Sequence, residues 1–525
     1  MNERVLALAE ALRGEGVRGA FGVPGSGLSW QLISALEGLG VPFTGVRHEG
    51  AGAIMAGAFG RVTGTLGCSI TIKGPGLANA FPGVVSNHYE QWAAISVAEA
   101  FGPATPAARM HKRLDHRAVL SAVVKAYASP GEPDEVVRRL AAAAREEVPG
   151  PVHLELFAEQ APERFDALRP ASHGQRREWS DALPPAVERA VASARRPVVI
   201  AGSLATRQPW GARLAELRVP VFTTAAAKGV LDERSPFAAG VYTGDGKALA
   251  PETRILPDAD LVVGLGLRNL EVLSPKPFAA PLVIVDAAGP ETANGFAPAE
   301  ALTGAASEDF DRVLAVLAGR EWGSDRVAEA QRDVRAELTA REWLPGRVFE
   351  RLAELRPRRL TVDTGSFCTV AEHVWPAAPD ERQFLASANG RYMGTAIPMA
   401  LGAACADPSG GSICALGDGG MMYAAELKMA VERSLPVLFV LMTDGRYGSI
   451  ACAPSAPGLD LDAVTMRQPS WYRAVQGLGM PAARASNLAE LEDAVAAWGA
   501  EAAGPMFVEA AFDPEPYAAM TARVR

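Results

Sequence analysis

The feature that most limits what this chain can fold into is a pair of aspartates at matching places. Gly417-Asp418-Gly419 closes one apolar run, and Thr443-Asp444-Gly445 closes the next, 26 residues further on from aspartate to aspartate. Residues 412–416 and 435–442 read as buried strands, and residues 424–431 as the helix between them. A strand, helix and strand of that length return the chain in one direction, so the strands lie parallel. Both carboxylates are then expected at the carboxyl edge of one sheet, where open α/β sheets bind ligands. Gly-Asp-Gly alone is an ordinary turn; the second aspartate gives the first its meaning.

Two neighbouring carboxylates repel unless a cation lies between them, and hard oxygen ligands suit Mg²⁺ or Ca²⁺. Magnesium seldom fills its octahedron from protein alone, which leaves positions for water and phosphate oxygens. Glycines beside Asp418 let backbone amides approach such phosphates. The stretch from Gly417 through Thr443-Asp444-Gly445-Arg446-Tyr447-Gly448 resembles the diphosphate and magnesium motif of thiamine diphosphate enzymes, in the branch of acetolactate synthase and benzoylformate decarboxylase. The resemblance implies that Asp418 and Asp444 ligate Mg²⁺ through their side chains and Arg446 through its backbone carbonyl. It also implies that Gly417, Gly419, Gly420 and Tyr447 lie beside thiamine diphosphate. This chain has Thr443 where the family usually has asparagine.

Three upstream segments follow the same family's order: residues 21–26, residues 46–61 around Arg47-His48-Glu49-Gly50, and Lys73-Gly74-Pro75-Gly76 with Asn79 close behind. Residues 50–60 are mostly small, as in a helix that meets another backbone or a flat ring closely. An acid in the first turn of a helix is favoured by the macrodipole whatever its role. By resemblance this is the pyrimidine-binding domain, and Glu49 bonds the N1′ nitrogen of the aminopyrimidine and exchanges a proton with it. A third patch, residues 389–402, matches the loop that supports the bent cofactor: Met393 the apolar wedge, Arg391 the backbone acceptor for the 4′-amino group. A fourth, Asp363-Thr364-Gly365-Ser366, matches a strand end that holds the diphosphate, through Gly365 and Ser366.

At 525 residues the chain has length for three or four domains. Strand-like runs alternate with helical ones throughout, which argues for parallel sheets. The expected fold class is α/β with three doubly wound parallel-sheet domains: pyrimidine-binding over residues 1–162, central over 180–325 and diphosphate-binding over 342–525. Charged, irregular sequence at 162–177 reads as a linker. The central unit resembles a domain that binds FAD or ADP in some family members and nothing in others; Gly264-Leu265-Gly266 is too weak a signal to assign either.

Apolar residues make up 49% and charged residues 21%, as in soluble globular enzymes. A net charge of -9 without a basic stripe argues against a nucleic-acid partner. Cys68, Cys368, Cys405, Cys414 and Cys452 form no CxxC pair and read as free thiols of a reducing compartment. Residues 1–12 alternate charged and apolar side chains like a surface helix and lack a signal peptide's apolar core. No run reaches the roughly 20 apolar residues that span a bilayer. The expected location is cytoplasmic, with no membrane partner.

The resemblance implies decarboxylation of a small-molecule 2-oxo acid through an enamine intermediate. Protonation of the enamine would make the enzyme a lyase; its addition to a second carbonyl would make it an acetolactate synthase-like carboligase. A catalytically silent regulatory homologue is the third reading, and retention of Glu49, Asp418 and Asp444 argues against it. Ser26 matches a serine that binds substrate carboxylate in benzoylformate decarboxylase, though a serine after Pro-Gly is also a common turn residue. Ile72 stands where that enzyme has a catalytic histidine. Lys73 beside it is either an anchor for an acidic substrate or a solvated charge. His88 lies in the altered segment 86–93 and is a candidate proton donor. Because the family's first and last domains meet across a subunit boundary, a homo-oligomer is expected: a dimer, or a homotetramer built as a dimer of dimers.

Overall fold

A computed structural model describes residues 2–157, 159, 163–169, 182–377, 380, 382–451, 460–467, 469–498 and 504–525. Each of three sheets is built from the alternation legible in the sequence. The first runs, edge to edge, Phe43–Gly45, Val17–Gly22, Leu66–Thr71, Ala94–Glu99, Pro151–Leu156, Ala126–Ser129 and Arg164–Ala167. The last of these is antiparallel to its neighbour. It falls inside the stretch read as a linker, so that segment first adds an edge strand to the sheet; residues 170–181 lie outside the described residues. The third sheet runs Phe384–Ala386, Arg359–Val362, Ser412–Gly417, Val437–Thr443, Met506–Ala511 and Ala482–Ala485, all parallel. Numbered within its own domain, each of these two sheets runs second, first, third, fourth, sixth, fifth, and the first sheet adds its antiparallel seventh strand beyond the fifth. The kinship of the two domains is plain in topology and invisible in their residues.

The middle sheet has a different order, third, second, first, fourth, fifth, sixth, from Ala238–Val241 at one edge to Glu300–Thr303 at the other. The fold class expected from the sequence is therefore the observed one. Strands such as Leu66–Thr71, Ala94–Glu99 and Leu261–Leu265 are buried along their whole length. Helices cover both faces of such a sheet, which is why these strands read as unbroken apolar runs.

One helix joins the domains. Glu49–Thr63 is buried at almost every position and contains Gly50, Gly52, Gly57 and Gly60. Each internal glycine costs about 1 kcal/mol against alanine in a helix, so local propensity does not make this one. Packing does: a Cβ on Gly57 would sit 2.0 Å from Asn87 Oδ1, and one on Gly402 of the third domain's helix Ala396–Ala406 would sit 2.4 Å from the Met55 carbonyl. Absent side chains thus bring the first and third domains into backbone contact. Cys68, Cys368 and Cys414 are buried and Cys405 is half-buried, all as free thiols; Cys452 lies outside the described residues. Among the described residues no helix is long and apolar enough to cross a membrane.

Candidate active site

Asp418 and Asp444 do meet at the carboxyl edge of adjacent strands, Ser412–Gly417 and Val437–Thr443. Both are buried, at 5% and 8% exposure. Asp418 accepts from Thr443 Oγ1 at 2.6 Å, from the Gly445 amide at 3.0 Å and from the Asp444 amide at 3.2 Å. Thr443, the departure from the family's asparagine, supplies the shortest of these bonds. Asp444 Oδ1 accepts from the Arg446 amide at 3.2 Å, while its Oδ2 is buried without a hydrogen-bond partner. Burial pushes the Asp444 carboxyl up to about 6, and the Asp418 charge pushes the same way. Burial also raises Asp418, against the pull of its hydrogen bonds.

A cavity of about 260 Å³ opens over this pair. It is lined by residues 364–367, Arg391, Met393, residues 417–420, Met442, Asp444, residues 446–450 and Tyr517. Gly365, Ser366, Arg391, Met393, Gly417, Asp418, Gly419, Gly420, Asp444, Arg446 and Tyr447, all singled out from the sequence, are therefore brought to one place. Ser366 opens the helix Ser366–Val374, and Asp418 opens the 3₁₀ segment Asp418–Glu426, so two helix starts line the cavity. The segment expected as a plain helix at 424–431 is 3₁₀ up to Glu426 and α-helical over Leu427–Glu432. A Cβ on Gly419 would lie 2.3 Å from Met393 Sδ, so glycine there keeps the floor open under the thioether. Sequence reasoning missed Phe367 and Tyr517, whose rings carry no local signal of a site.

The residues fit a cation and a diphosphate. Two like charges with one orphaned buried oxygen are the donor set a divalent metal compensates, and helix-start amides suit phosphate oxygens. The side-chain ligands number only two, and among the described residues no cluster of three or more His, Cys, Asp or Glu residues could hold a metal; the remaining ligands would be a backbone carbonyl, phosphate and water.

Asp363 ends the strand beneath and is 1% exposed. It accepts from the Thr364 amide at 2.8 Å and the Gly394 amide at 3.0 Å. Burial pushes its carboxyl up to about 7, against those amides. A folded-state value above the unfolded one, about 3.9, gives stability that is full below about pH 4 and is lost as pH rises through about 7. Across that window the loss is on the order of 4 kcal/mol. Asp363→Asn keeps an acceptor and removes the titration. The parent's melting temperature, measured relative to the variant's, is expected to fall from pH 4.5 to pH 8. A gap independent of pH would refute this.

On the first domain Glu49 begins the buried helix at 9% exposure, and its Oε2 accepts from Asn79 Nδ2 at 3.0 Å. His48 caps that helix, its Nδ1 accepting from the Gly50 amide at 3.0 Å. Glu426 of the third domain accepts the Arg47 and His48 amides at 2.9 Å each, which pins this strand end across the domain boundary. Yet among the described residues none of the first domain lines the 260 Å³ cavity, so Glu49 is not brought to the cavity that holds the aspartates of its own chain. Ser26 is exposed just before the helix Leu28–Gly38. Lys73 is ion-paired to buried Glu99 at 2.7 Å, and Glu99 also accepts from Ser29 Oγ at 2.6 Å; its charge is neutralised there. His88 lies in a different cavity, of about 380 Å³, between the first and central domains. Its Nε2 is 3.1 Å from Arg169 Nη1, and burial, then that guanidinium, lower its pKa.

At the switch point of the central sheet, Arg268 is buried against Asp286 at 2.6 Å and also reaches Glu147 of the first domain at 3.0 Å. Buried Glu271 accepts from the Ser203 amide at 2.7 Å and Thr224 Oγ1 at 2.9 Å. The edge where a nucleotide would bind in such a sheet carries an ion network that docks the first domain.

Comparison with known proteins matches three family models to the three domains: "Thiamine pyrophosphate enzyme, N-terminal TPP binding domain" over residues 5–111, the central domain over 186–313 and the C-terminal TPP binding domain over 363–510. The chain is 28% identical to the probable 2-ketoarginine decarboxylase of Pseudomonas aeruginosa, over 93% of this chain and 90% of the relative. It is 26% identical to the catabolic acetolactate synthase of Raoultella terrigena, over 85% and 83%. With 2-hydroxyacyl-CoA lyase 2 of Mus musculus it shares 25% identity, over 90% and 83%.

Proposed function

The chain belongs to the thiamine pyrophosphate enzyme family, and from that premise we propose that it is a thiamine diphosphate- and Mg²⁺-dependent lyase that removes carbon dioxide from a 2-oxo acid. The observation that carries the reading is the buried pair Asp418 and Asp444, one oxygen unpartnered, under two helix starts that face one cavity. Asp418 and Asp444 would hold the metal with the Arg446 carbonyl, and the amides of residues 365–367 and 418–420 would hold the diphosphate. When bound, the cofactor supplies the carbon nucleophile and the electron sink that a protein lacks. Met393 would support it from below, and the Arg391 carbonyl would accept from its amino group. Glu49 would hand a proton to and from the pyrimidine ring, steadied by Asn79.

That no described first-domain residue lines the cavity supports a shared site, in which the Glu49 face of a second copy closes it. Exposed Ile450, which lines the cavity, and exposed Met422, which lies against Gly394, at 54% and 60%, suit such a cover. The pairing of Lys73 with Glu99 argues against Lys73 as a substrate anchor and leaves exposed Ser26 as the candidate for the carboxylate. A screen of 2-oxo acids for carbon dioxide release, with thiamine diphosphate and Mg²⁺ present, tests the reading. Release from at least one acid is expected; no release from any, by protein shown to bind the cofactor, would end it. The acetolactate synthase relative favours a carboligase as the second reading, and product analysis with and without an acceptor aldehyde separates the two.

A further inference from the structure

Segment 86–93 enters no step of the proposed reaction, and its geometry gives it another task. The helix Pro75–Tyr89 ends there, and Glu90, 6% exposed, turns its carboxylate into the third domain. Oε1 accepts from Ser387 Oγ at 3.0 Å and the Gly390 amide at 3.1 Å. Oε2 accepts from the Ala388 amide at 3.0 Å and the Asn389 amide at 3.2 Å. Asn389 Nδ2 adds a bond to the Tyr89 carbonyl at 3.0 Å. One carboxylate thus gathers three consecutive amides and a hydroxyl from residues 387–390. Hydrogen bonds to an ionised acceptor are about twice as strong as neutral ones. Gln91 sits in the left-handed region, φ +57°, and its Oε1 accepts from Ser203 Oγ at 3.1 Å and Arg268 Nη1 at 3.2 Å of the central domain.

Immediately after residue 390 the loop reaches the cavity, through Arg391 and Met393. Arg391 is also left-handed, φ +47°, a conformation that non-glycine residues adopt at a cost and keep only when their surroundings hold them. Its guanidinium is tied to buried Glu372 at 2.8 Å, and Gly394, three residues on, is tied to Asp363. Both of those ties belong to the third domain. Glu90 and the Tyr89 carbonyl are ties from the first domain, and Glu90, with four of those bonds, grips the loop's entry.

We propose that Glu90 is a positioning residue: its carboxylate holds residues 387–390 so that the Arg391 backbone and Met393 stand at the cofactor cavity. The proposal rests on the reading of that cavity as the thiamine diphosphate site. Glu90→Gln removes the charge and replaces one acceptor oxygen with an NH₂ group; at the Oε1 position that group can donate to Ser387 Oγ but opposes the Gly390 amide, and at the Oε2 position it opposes the Ala388 and Asn389 amides, so one or two of the four bonds are lost. Thiamine diphosphate affinity at saturating Mg²⁺, measured by calorimetry, is expected to weaken by about 10- to 100-fold. Turnover at saturating cofactor should stay within about threefold, because Glu90 touches no reacting atom. Hydrogen exchange at residues 387–394 should accelerate, while that at residues 412–420 should not. Glu90→Asp keeps the charge, shortens the reach by one methylene and leaves Ser387 Oγ to accept the Tyr392 amide at 2.6 Å; it should weaken affinity in the same direction by about three- to tenfold, and it decides alone if Glu90→Gln does not fold.

Unchanged affinity and unchanged loop exchange in the deciding variant would overturn the proposal. So would faster exchange spread across the whole first–third domain interface, which marks general loosening. If the parent itself does not bind thiamine diphosphate, the reading of the cavity falls, while exchange at residues 387–394 of the cofactor-free protein still tests the grip of Glu90.

Discussion

Glu49→Gln is expected to lower turnover by about 10²- to 10⁴-fold, the usual contribution of a positioned proton donor, while cofactor affinity stays within a few-fold of the parent. Glutamine is the same shape and can still accept from Asn79, which now bonds Glu49 Oε2 at 3.0 Å. It cannot exchange a proton with a ring nitrogen. The diphosphate and metal are to be held from the third domain, 369 residues further along from Glu49 to Asp418, so their binding should be indifferent to the change. Steady-state rates at saturating cofactor, together with calorimetric affinities, separate the two effects. Equal activity of variant and parent would remove Glu49 from the mechanism.

Asp418→Ala should show the opposite split, with loss of Mg²⁺-dependent cofactor binding itself. The substitution deletes one of two neighbouring carboxylates and strips the acceptor from Thr443 Oγ1, the Asp444 amide and the Gly445 amide. The buried Asp444 amide left unpaired costs about 1–3 kcal/mol and the two part-buried donors less, so the bend that aims Asp444 at the cavity would relax as well. Asp418→Asn is the control: it keeps an acceptor and the shape, removes the charge, and should still fail to bind in the presence of Mg²⁺. Retained Mg²⁺-dependent binding by both variants would dismiss the metal site. If the site is shared between copies, an equimolar mixture of Glu49→Gln and Asp418→Ala chains, unfolded and reassembled together, should recover about a quarter of the parent activity, because half the dimers then carry one site with both residues intact. No recovery would place the whole site in one chain.

The aspartate pair was legible because each member ends its own apolar strand, and strand–helix–strand spacing is a local matter of rise and turn. The same holds for the small-residue helix behind Glu49, whose glycines announce close packing without saying against what. Thr443 looked like a lost ligand neighbour and is the shortest donor to Asp418. Lys73 was open between anchor and solvated charge, and it is ion-paired and half-buried, because Glu99 lies on the next strand of the sheet. His88 was nearest to both motifs in sequence, yet it points into a cavity against Arg169 and the central domain.

By itself the sequence determined the three-sheet architecture, the strand ends that carry the acids and the chemistry those acids suit, because periodicity and turn residues act over a few positions. Only the tertiary structure decided that Glu90 grips a loop about 300 residues away, that Arg268 pairs with both Asp286 and Glu147 of the first domain, and that no described residue of the first domain lines its own chain's cavity. Such pairings depend on which buried donors and acceptors the folded domains bring within about 3 Å, and no local pattern encodes that distance.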